Sequence, residues 1–382
     1  MSRINELINE LCPCGFEYKK LSDLLQVNRG RRLTKNQLIA NGKYEVYHGS
    51  KDTPLGKFDK YNTPGDTVIV VNTGGIGGVK YLKDNFWCSD GSFSIGHSNS
   101  INNKFLFHYL SQYEDYFLSQ KRIGGVPTID RSVIENVKIP VVPLEIQVEI
   151  SNILDMFCNI QDIIDAEIEG TKKELEFYKR KIFSQCKHTC KIGDIAEKHK
   201  EKNKNQLINN AYSITQRGLM PTKEYFGEKT KITSSDTSGY YIVEKGWFVY
   251  SPSRIDVGSI SYLKENQTVI VSPIDVVFSV NNEKVDNDYL LNYLLSAKGM
   301  SQILFYRQGI EGTGRKNLPF ENFSKIEIPI PNIDTQKKYV ERINIFENYI
   351  NGVLIPKKNL YKKQYEYYRN KLLSFEELSV SE

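Results

Sequence analysis

Phe177-Tyr178-Lys179-Arg180-Lys181-Ile182-Phe183-Ser184 returns 190 residues later as Tyr367-Tyr368-Arg369-Asn370-Lys371-Leu372-Leu373-Ser374. Three further matches precede this pair in the same order. Lys138-Ile139-Pro140 returns as Glu327-Ile328-Pro329, each closing a strand-like alternation, Val133 to Ile139 and Phe323 to Ile328, just before a long helical pattern. Tyr81-Leu82-Lys83-Asp84-Asn85 matches Tyr262-Leu263-Lys264-Glu265-Asn266, and Leu21-Ser22-Asp23-Leu24 matches Ile192-Gly193-Asp194-Ile195. The separations drift from 171 through 181 and 189 to 190, as the loops of two diverged copies of one domain do. One such match is a coincidence, whereas four in register are an internal duplication. A chain of 382 residues is also too long for one ordinary core and comfortable for two.

Each copy ends in a helix. In the first, Ile150, Ile153, Phe157, Ile160, Ile164, Ile168, Thr171, Leu175, Tyr178 and Ile182 follow steps of three and four, a coiled-coil-like seam. The second continues with Val340, Ile343, Phe346, Ile350, Val353, Leu360, Gln364, Tyr367 and Lys371. Gly352 and Pro356 interrupt it and predict a kink or a break after the first turns. Neither stripe can be buried alone, so the economical arrangement is an antiparallel pair related by a pseudo-twofold axis. A helix of ~40 residues is roughly 60 Å long, about 17 base pairs of duplex. The short N-terminal helix, Ile4 to Leu11, is expected beside the end of the second long helix, completing the symmetry.

Ahead of each long helix, short β-rich runs (Thr67 to Val71, Trp247 to Tyr250, Thr268 to Val271, Val276 to Val280) alternate with turns and lead to a helical stretch, Lys104 to Leu118 or Asp288 to Leu304. This pattern predicts an α+β domain and lacks the βαβ alternation of a doubly wound nucleotide fold. Polar side chains able to read or hold nucleic acid gather in the loops. The first copy has Arg29, Arg31 and Arg32 near its start, Asn72 and Thr73 after a strand, and Lys121 and Arg122 before the last strand. The second has Gln216 and Arg217, then Ser253 and Arg254, then Arg307, Gln308, Arg315 and Lys316. Arg bonds guanine edges bidentately, Asn and Gln bond adenine edges, and Lys, Ser and Thr mostly hold phosphates.

A net charge of only +5 excludes a polycation that coats nucleic acid, so binding must come from these local patches. No apolar run approaches the ~20 residues of a membrane span, and Met1 to Gly15 lacks the zones of a signal peptide. A cytoplasmic protein is expected, with its six cysteines reduced and unpaired. No catalytic constellation emerges. Gly74 to Gly78 is not followed by the Lys-Ser or Lys-Thr of a phosphate loop, and of Cys186-Lys187-His188-Thr189-Cys190 and Cys12-Pro13-Cys14 only the first has the C-x₂₋₄-C spacing of a zinc pair, too little for a site. The chain also lacks a methyltransferase Asn/Asp-Pro-Pro-Tyr/Phe loop, G-x-S-x-G and H-E-x-x-H. No catalytic, metal or cofactor site is expected.

Val141-Val142-Pro143-Leu144-Glu145-Ile146-Gln147-Val148-Glu149-Ile150 resembles the Pro-Leu-x-x-Gln-x-x-Ile entrance to the long helix of type I restriction-modification specificity subunits. Lys363 to Phe375 is similar to that family's helix terminus, and Leu11-Cys12-Pro13-Cys14-Gly15-Phe16-Glu17-Tyr18-Lys19-Lys20-Leu21 to its opening. The likeness spans the chain, although Ile333-Asp334-Thr335-Gln336 keeps the Gln without the Pro-Leu. It implies an α+β fold of two homologous target-recognition domains joined by two long antiparallel helices. The divisions are residues 1–142 for the first domain, 143–185 for the first helix, 186–331 for the second domain, 332–376 for the second helix and 377–382 for a tail. It further implies that each domain reads one half of a bipartite, asymmetric site in double-stranded DNA. The helices would act as a ruler and dock two methyltransferase subunits, with restriction subunits joining through the complex. S-adenosylmethionine and ATP with Mg would belong to those partners. A protein-binding scaffold, an orphan DNA-recognition protein and a methyltransferase with unusual motifs remain the competing readings.

Overall fold

The computed structural model describes residues 2–13, 15–122, 124–186, 188–227, 236–309 and 316–375. The chain forms two compact units, Met1–Asp165 with Lys357–Glu382, and Ala166–Pro356. Each holds an α+β domain, and the two domains are joined by two long helices. Among the described residues no helix is long and apolar enough to cross a membrane.

The first domain is built on a four-stranded antiparallel sheet in the order Val27–Arg29, Ser92–Ile95, Thr67–Val71, Val79–Leu82. Thr67–Val71 is wholly β-branched and buried throughout, as a strand covered on both faces must be. Val68 and Val70 enter the main core, while Ile69 points the other way, into a cluster with Tyr47, Phe86 and Cys88. That second layer is a three-stranded sheet of Gly56–Phe58, Tyr44–Tyr47 and Trp87–Cys88.

The second domain repeats the plan: Ala196–His199, Val276–Val280, Phe248–Tyr250, Ile260–Tyr262, again antiparallel throughout. Phe248, Tyr250 and Phe278 face the main core, and Val249 and Val277 the other side. Here the outer layer differs, consisting of a hairpin, Tyr212–Thr215 with Gly218–Pro221, and a pair, Tyr241–Val243 with Val269–Val271.

The sequence markers become neighbours in space. Glu17–Lys20 pairs with Lys138–Val141, and Thr189–Lys191 with Glu327–Pro329, each antiparallel. Directly after each first strand, the Leu21 N–H donates to Val137 O at 2.8 Å and the Ile192 N–H to Ile326 O at 2.9 Å. The alternations read as strands from Val133 and from Phe323 are instead a short helix, Arg131–Glu135 or Phe320–Phe323, then the strand. Both domain helices are also split. Asn103–Leu110 is separated from Glu114–Ser119 by a 3-10 turn, and Asn287–Leu294 from Ala297–Tyr306 at Ser296, whose hydroxyl caps the new helix at Gly299 N.

The glutamines of the helix entrances act as matched staples. Gln147 is fully buried, accepts from Asn102 N at 2.8 Å and donates to Ser100 O and Val142 O at 2.9 and 2.6 Å. Gln336, also fully buried, accepts from Asp286 N at 2.9 Å and donates to Lys284 O and Pro331 O at 2.9 and 2.8 Å. Asn102 and Asp286 are the N-caps of the two domain helices. Each Gln therefore ties the start of a long helix to the start of the domain helix, and loss of its amide would leave buried backbone groups unpaired.

The first long helix, Leu144–Gln185, runs unbroken. The second is Ile333–Asn348, a π turn at Tyr349–Leu354, then Ile355–Leu372. The interruption expected from Gly352 and Pro356 is thus a widened turn and not a break. It gives the Pro356 ring room that a regular turn denies it. The π turn inserts one residue, and every seam position expected beyond it moves by one. Val353, Leu360, Gln364, Tyr367 and Lys371 are exposed, while Leu354, Tyr361, Tyr365, Tyr368 and Leu372 face inward. Pairing is antiparallel within each unit. Phe157 stacks on Tyr368 and Asp165 pairs with Lys358 in the first; Tyr178 meets Phe346 and Lys179 pairs with Glu347 in the second. Each domain core is closed by its own helix start and the other copy's helix end. Ile146, Ile150 and Leu154 join Leu372 and Leu373 in one core, and Val340 and Ile343 join Leu175, Ile182 and Phe183 in the other. Ile4 of the N-terminal helix Ser2–Leu11, with Leu7 and Ile8 packed against the cluster, shares the core that holds Leu372 and Leu373.

Candidate nucleic-acid interface

In the first domain, three loops meet where Arg29 and Val71 end their strands. Gly30 N donates to Ser92 O at 3.1 Å and Arg31 N to Cys88 O at 2.9 Å. A Cβ on Gly30 would lie 2.1 Å from Ser89 O, so only glycine permits this approach. The loop after Val71 is held by Asn72 N to Gly91 O at 3.0 Å and Gly75 N to Gly49 O at 2.8 Å. The third loop closes by Arg122 N to Thr128 O at 2.9 Å and joins the second through Ile129 N to Asn72 O at 3.1 Å and the Thr73–Thr128 bridge. Arg29, Arg31, Arg32, Lys121 and Arg122 are exposed on these loops, and Thr73 is half-buried. Asn72 is buried, and its backbone does the stitching. Arg122 forms an ion pair with Asp130.

In the second domain the loop after Tyr250 is anchored by Leu318 N to Pro252 O at 3.0 Å and by the Tyr250 hydroxyl to Leu318 O at 3.0 Å. Ser253 and Arg254 are exposed beyond the buried Ser251 and Pro252. Gln308–Gly309 pairs with Lys316–Asn317, and Gln308 and Lys316 are exposed. Arg307 turns inward, its guanidinium on Asp256, Ser253 O and Lys316 O. Arg315 and Cys14 lie outside the described residues.

Gln216 and Arg217 do not occupy the counterpart of Arg29 to Arg32. They form the exposed turn of the Tyr212–Thr215/Gly218–Pro221 hairpin, which belongs to the outer layer, whereas Arg29 ends an edge strand of the central sheet. Position near a domain's start paired two elements that the topology separates.

Sequence reasoning passed over His48 and Lys51, which lie in the same cluster. His48 Nδ1 accepts from Gly91 N at 3.2 Å and lies 3.3 Å from Asp90 Oδ1, and Lys51 pairs with Glu114 at 2.7 Å. Their signal is the His48-Gly49-Ser50-Lys51 turn directly after a strand, with Gly49 at φ +70°. Burial pushes the Cys88 thiol beneath the Arg31 loop up to about 12, and the Asp275 carboxyl, just ahead of the strand paired with Tyr250, up to about 7. Cys88 is thus an inert core thiol. Among the described residues, no group of three or more His, Cys, Asp or Glu side chains is placed to hold a metal ion.

Two stitched loop clusters, each at the end of the equivalent strand of an equivalent sheet, carry exposed basic and polar side chains. The model of the type I restriction modification DNA specificity domain matches residues 13–173 and again 187–358. The chain belongs to this family. The MjaVIII type I restriction enzyme specificity subunit of Methanocaldococcus jannaschii is 24% identical over 95% of this chain and 92% of its own length. The S subunit of a type I restriction-modification system from M. genitalium, solved by crystallography, shares the fold at a TM-score of 0.58 and 16% identity, over 95% of this chain and 97% of that one. A chain solved in work on complex assembly and conformational transition of the type I system gives 0.53 and 15%, over 94% and 97%. As a specificity subunit this chain is the DNA-recognition component of a type I restriction-modification complex and not its catalyst.

Proposed function

We propose that each domain of this specificity subunit reads one half of a bipartite, asymmetric duplex site through its loop cluster, and that the helix pair sets the unread spacer. Supporting this reading is one observation above all: a single chain carries two such clusters on equivalent sheets, with diverged side chains. Arg29, Arg31, Arg32, Thr73, Lys121 and Arg122 serve the first half, and Ser253, Arg254, Gln308, Arg315 and Lys316 the second, with Gln216 and Arg217 contributing from the outer-layer hairpin. Phosphate contacts fix position, and a few Arg and Gln side chains select bases. The divisions at residues 142, 185, 331 and 376 follow the same reading. Two methyltransferase subunits dock on the helices and bring S-adenosylmethionine; restriction subunits bring ATP with Mg. The assembly works in the cytoplasm.

Selection from a randomised duplex library by the full chain in complex with its methyltransferase partner is expected to return two fixed half-sites around a spacer of constant length. Affinity should fall steeply with salt, by about 0.9 in log K per log salt for each phosphate neutralised. A single contiguous site, or binding indifferent to salt, overturns the reading; indifference to salt is what a protein-binding scaffold would give.

A further inference from the structure

Arg307 follows the exposed Leu304 and Phe305, in a loop rich in polar groups, yet its side chain is only 9% exposed. Nη1 donates to Asp256 Oδ2 at 2.6 Å, and Nη2 to Ser253 O at 3.1 Å and Lys316 O at 3.0 Å. These acceptors belong to two separate loops. Ser253 precedes Arg254, and Asp256 lies in the 3-10 turn Ile255–Val257 that follows it, while Lys316 begins the returning strand of the Gln308–Asn317 pair. A planar guanidinium can bridge three such acceptors at fixed angles, which a lysine ammonium cannot.

We propose that Arg307 is a positioning residue for base selection in the second half-site: with Asp256 it clamps the Ser253–Arg254 loop to the Lys316 strand and does not itself contact DNA. The inference rests on the two-half reading above. Arg254 N donates to Ser251 O at 3.0 Å and Arg254 O accepts from Val257 N at 3.2 Å, so the Arg254 backbone lies inside the clamped loop while its side chain stays exposed. In the first domain the arginine at the corresponding place, Arg122, stands in the bridge to Thr128 itself and pairs with Asp130 but is largely exposed, so the clamp belongs to the second domain.

A clamp and a phosphate contact give opposite expectations for Asp256. If Arg307 held phosphate, Asp256→Asn would remove a competing carboxylate and tighten binding. A clamp is weakened by the same change. The test uses the full chain in complex with its methyltransferase partner, the duplex selected by the wild type as probe, and Arg307→Ala, Arg307→Lys and Asp256→Asn. All three are expected to weaken binding, Arg307→Ala by about tenfold. They should flatten base preference in the second half-site only and leave the salt slope within about half a unit of wild type, against a fall of about 0.9 for a lost phosphate contact. Arg307→Lys keeps the charge and should still fail to restore the preference. Circular dichroism reports whether each variant folds, and Asp256→Asn carries the test if Arg307→Ala does not. Tighter binding by Asp256→Asn, a slope lowered by a full contact, or unchanged base preference overturns the proposal while the two-half reading stands. If the wild type selects no two-part site, both fall.

Discussion

Asp155→Ala is expected to destabilise the first unit by about 2–4 kcal/mol and to strip hydrogen-exchange protection from Asn103–Leu110 while leaving Asn287–Leu294 as it was. Asp155 sits on the first long helix and joins three elements of that unit. Its Oδ1 lies 2.9 Å from Nε2 of His108, a domain-helix residue with no exposed side-chain surface, and Oδ2 pairs with Lys104. The other ring nitrogen, Nδ1, lies 3.0 Å from the hydroxyl of Tyr365 on the second long helix. Alanine would leave a buried ring N–H without an acceptor at the joint between the domain and both helices. Burial lowers the His108 pKa from its ordinary 6.5, with Arg369 and Lys104 adding to the effect and Asp155 opposing it. The ring is therefore neutral in the fold, donating to Asp155 and accepting from Tyr365. Burial would raise Asp155, but the bonds from His108 and Lys104 outweigh it and hold the carboxyl below its usual 3.8.

Both shifts act in one direction with pH. Below 6.5 the unfolded His108 takes a proton that the folded one resists, so its contribution is complete above that value and declines as pH falls toward the lowered folded value. The Asp155 contribution is complete above 3.8 and is lost as pH falls through its own lowered value. Moving from about pH 7.5 to about pH 5.5 should therefore loosen the first unit through His108 alone. The second unit carries Asn292, bonded to Asp288 O, on its corresponding helix and lacks this loss; its Asp275, pushed up to about 7 by burial, takes its proton in the fold over the same interval and should favour folding of that unit instead. Equal loss of protection in both units would refute this, as would a pH response that survives His108→Gln.

The duplication, the strands Thr67–Val71 and Val276–Val280 and the long helices were legible because each rests on local chemistry: β-branched runs, three-and-four periodicity, repeated markers. What escaped depends on distance or on a single inserted residue. The shift of the second seam was invisible because Tyr361, Tyr365, Tyr367 and Tyr368 offer amphipathic rings to either register; the polar Gln364 and Lys371 in the expected seam were its trace. Nothing near Arg307 in the chain announces Asp256, 51 residues away, so a buried clamp looked like a surface cation. Gln216 and Arg217 were paired with Arg29 to Arg32 by order alone, and order fails where the outer layers of two copies have diverged.

Removing Ile160–Ile163 from the first helix together with the facing Tyr361–Gln364 from the second is expected to shorten the preferred spacer by about two base pairs. The excised layer is bounded by Phe157 on Tyr368 and by Asp165 with Lys358, and both pairs can re-form across the shortened rod. Four residues are about 6 Å of helix, against 3.4 Å per base pair, and exceed a whole turn by only about 40°, so the inward faces stay aligned. Cutting one helix alone breaks the facing pairs and should cost assembly instead of resetting the spacer. The half-sites themselves must not change, because the excised residues lie far in sequence from either loop cluster. On the two-half reading, spacer and half-sites should thus respond separately. A spacer that stays constant would strip the helices of the ruler role while sparing the recognition domains, and altered half-sites would mean that the helices shape the reading surfaces themselves.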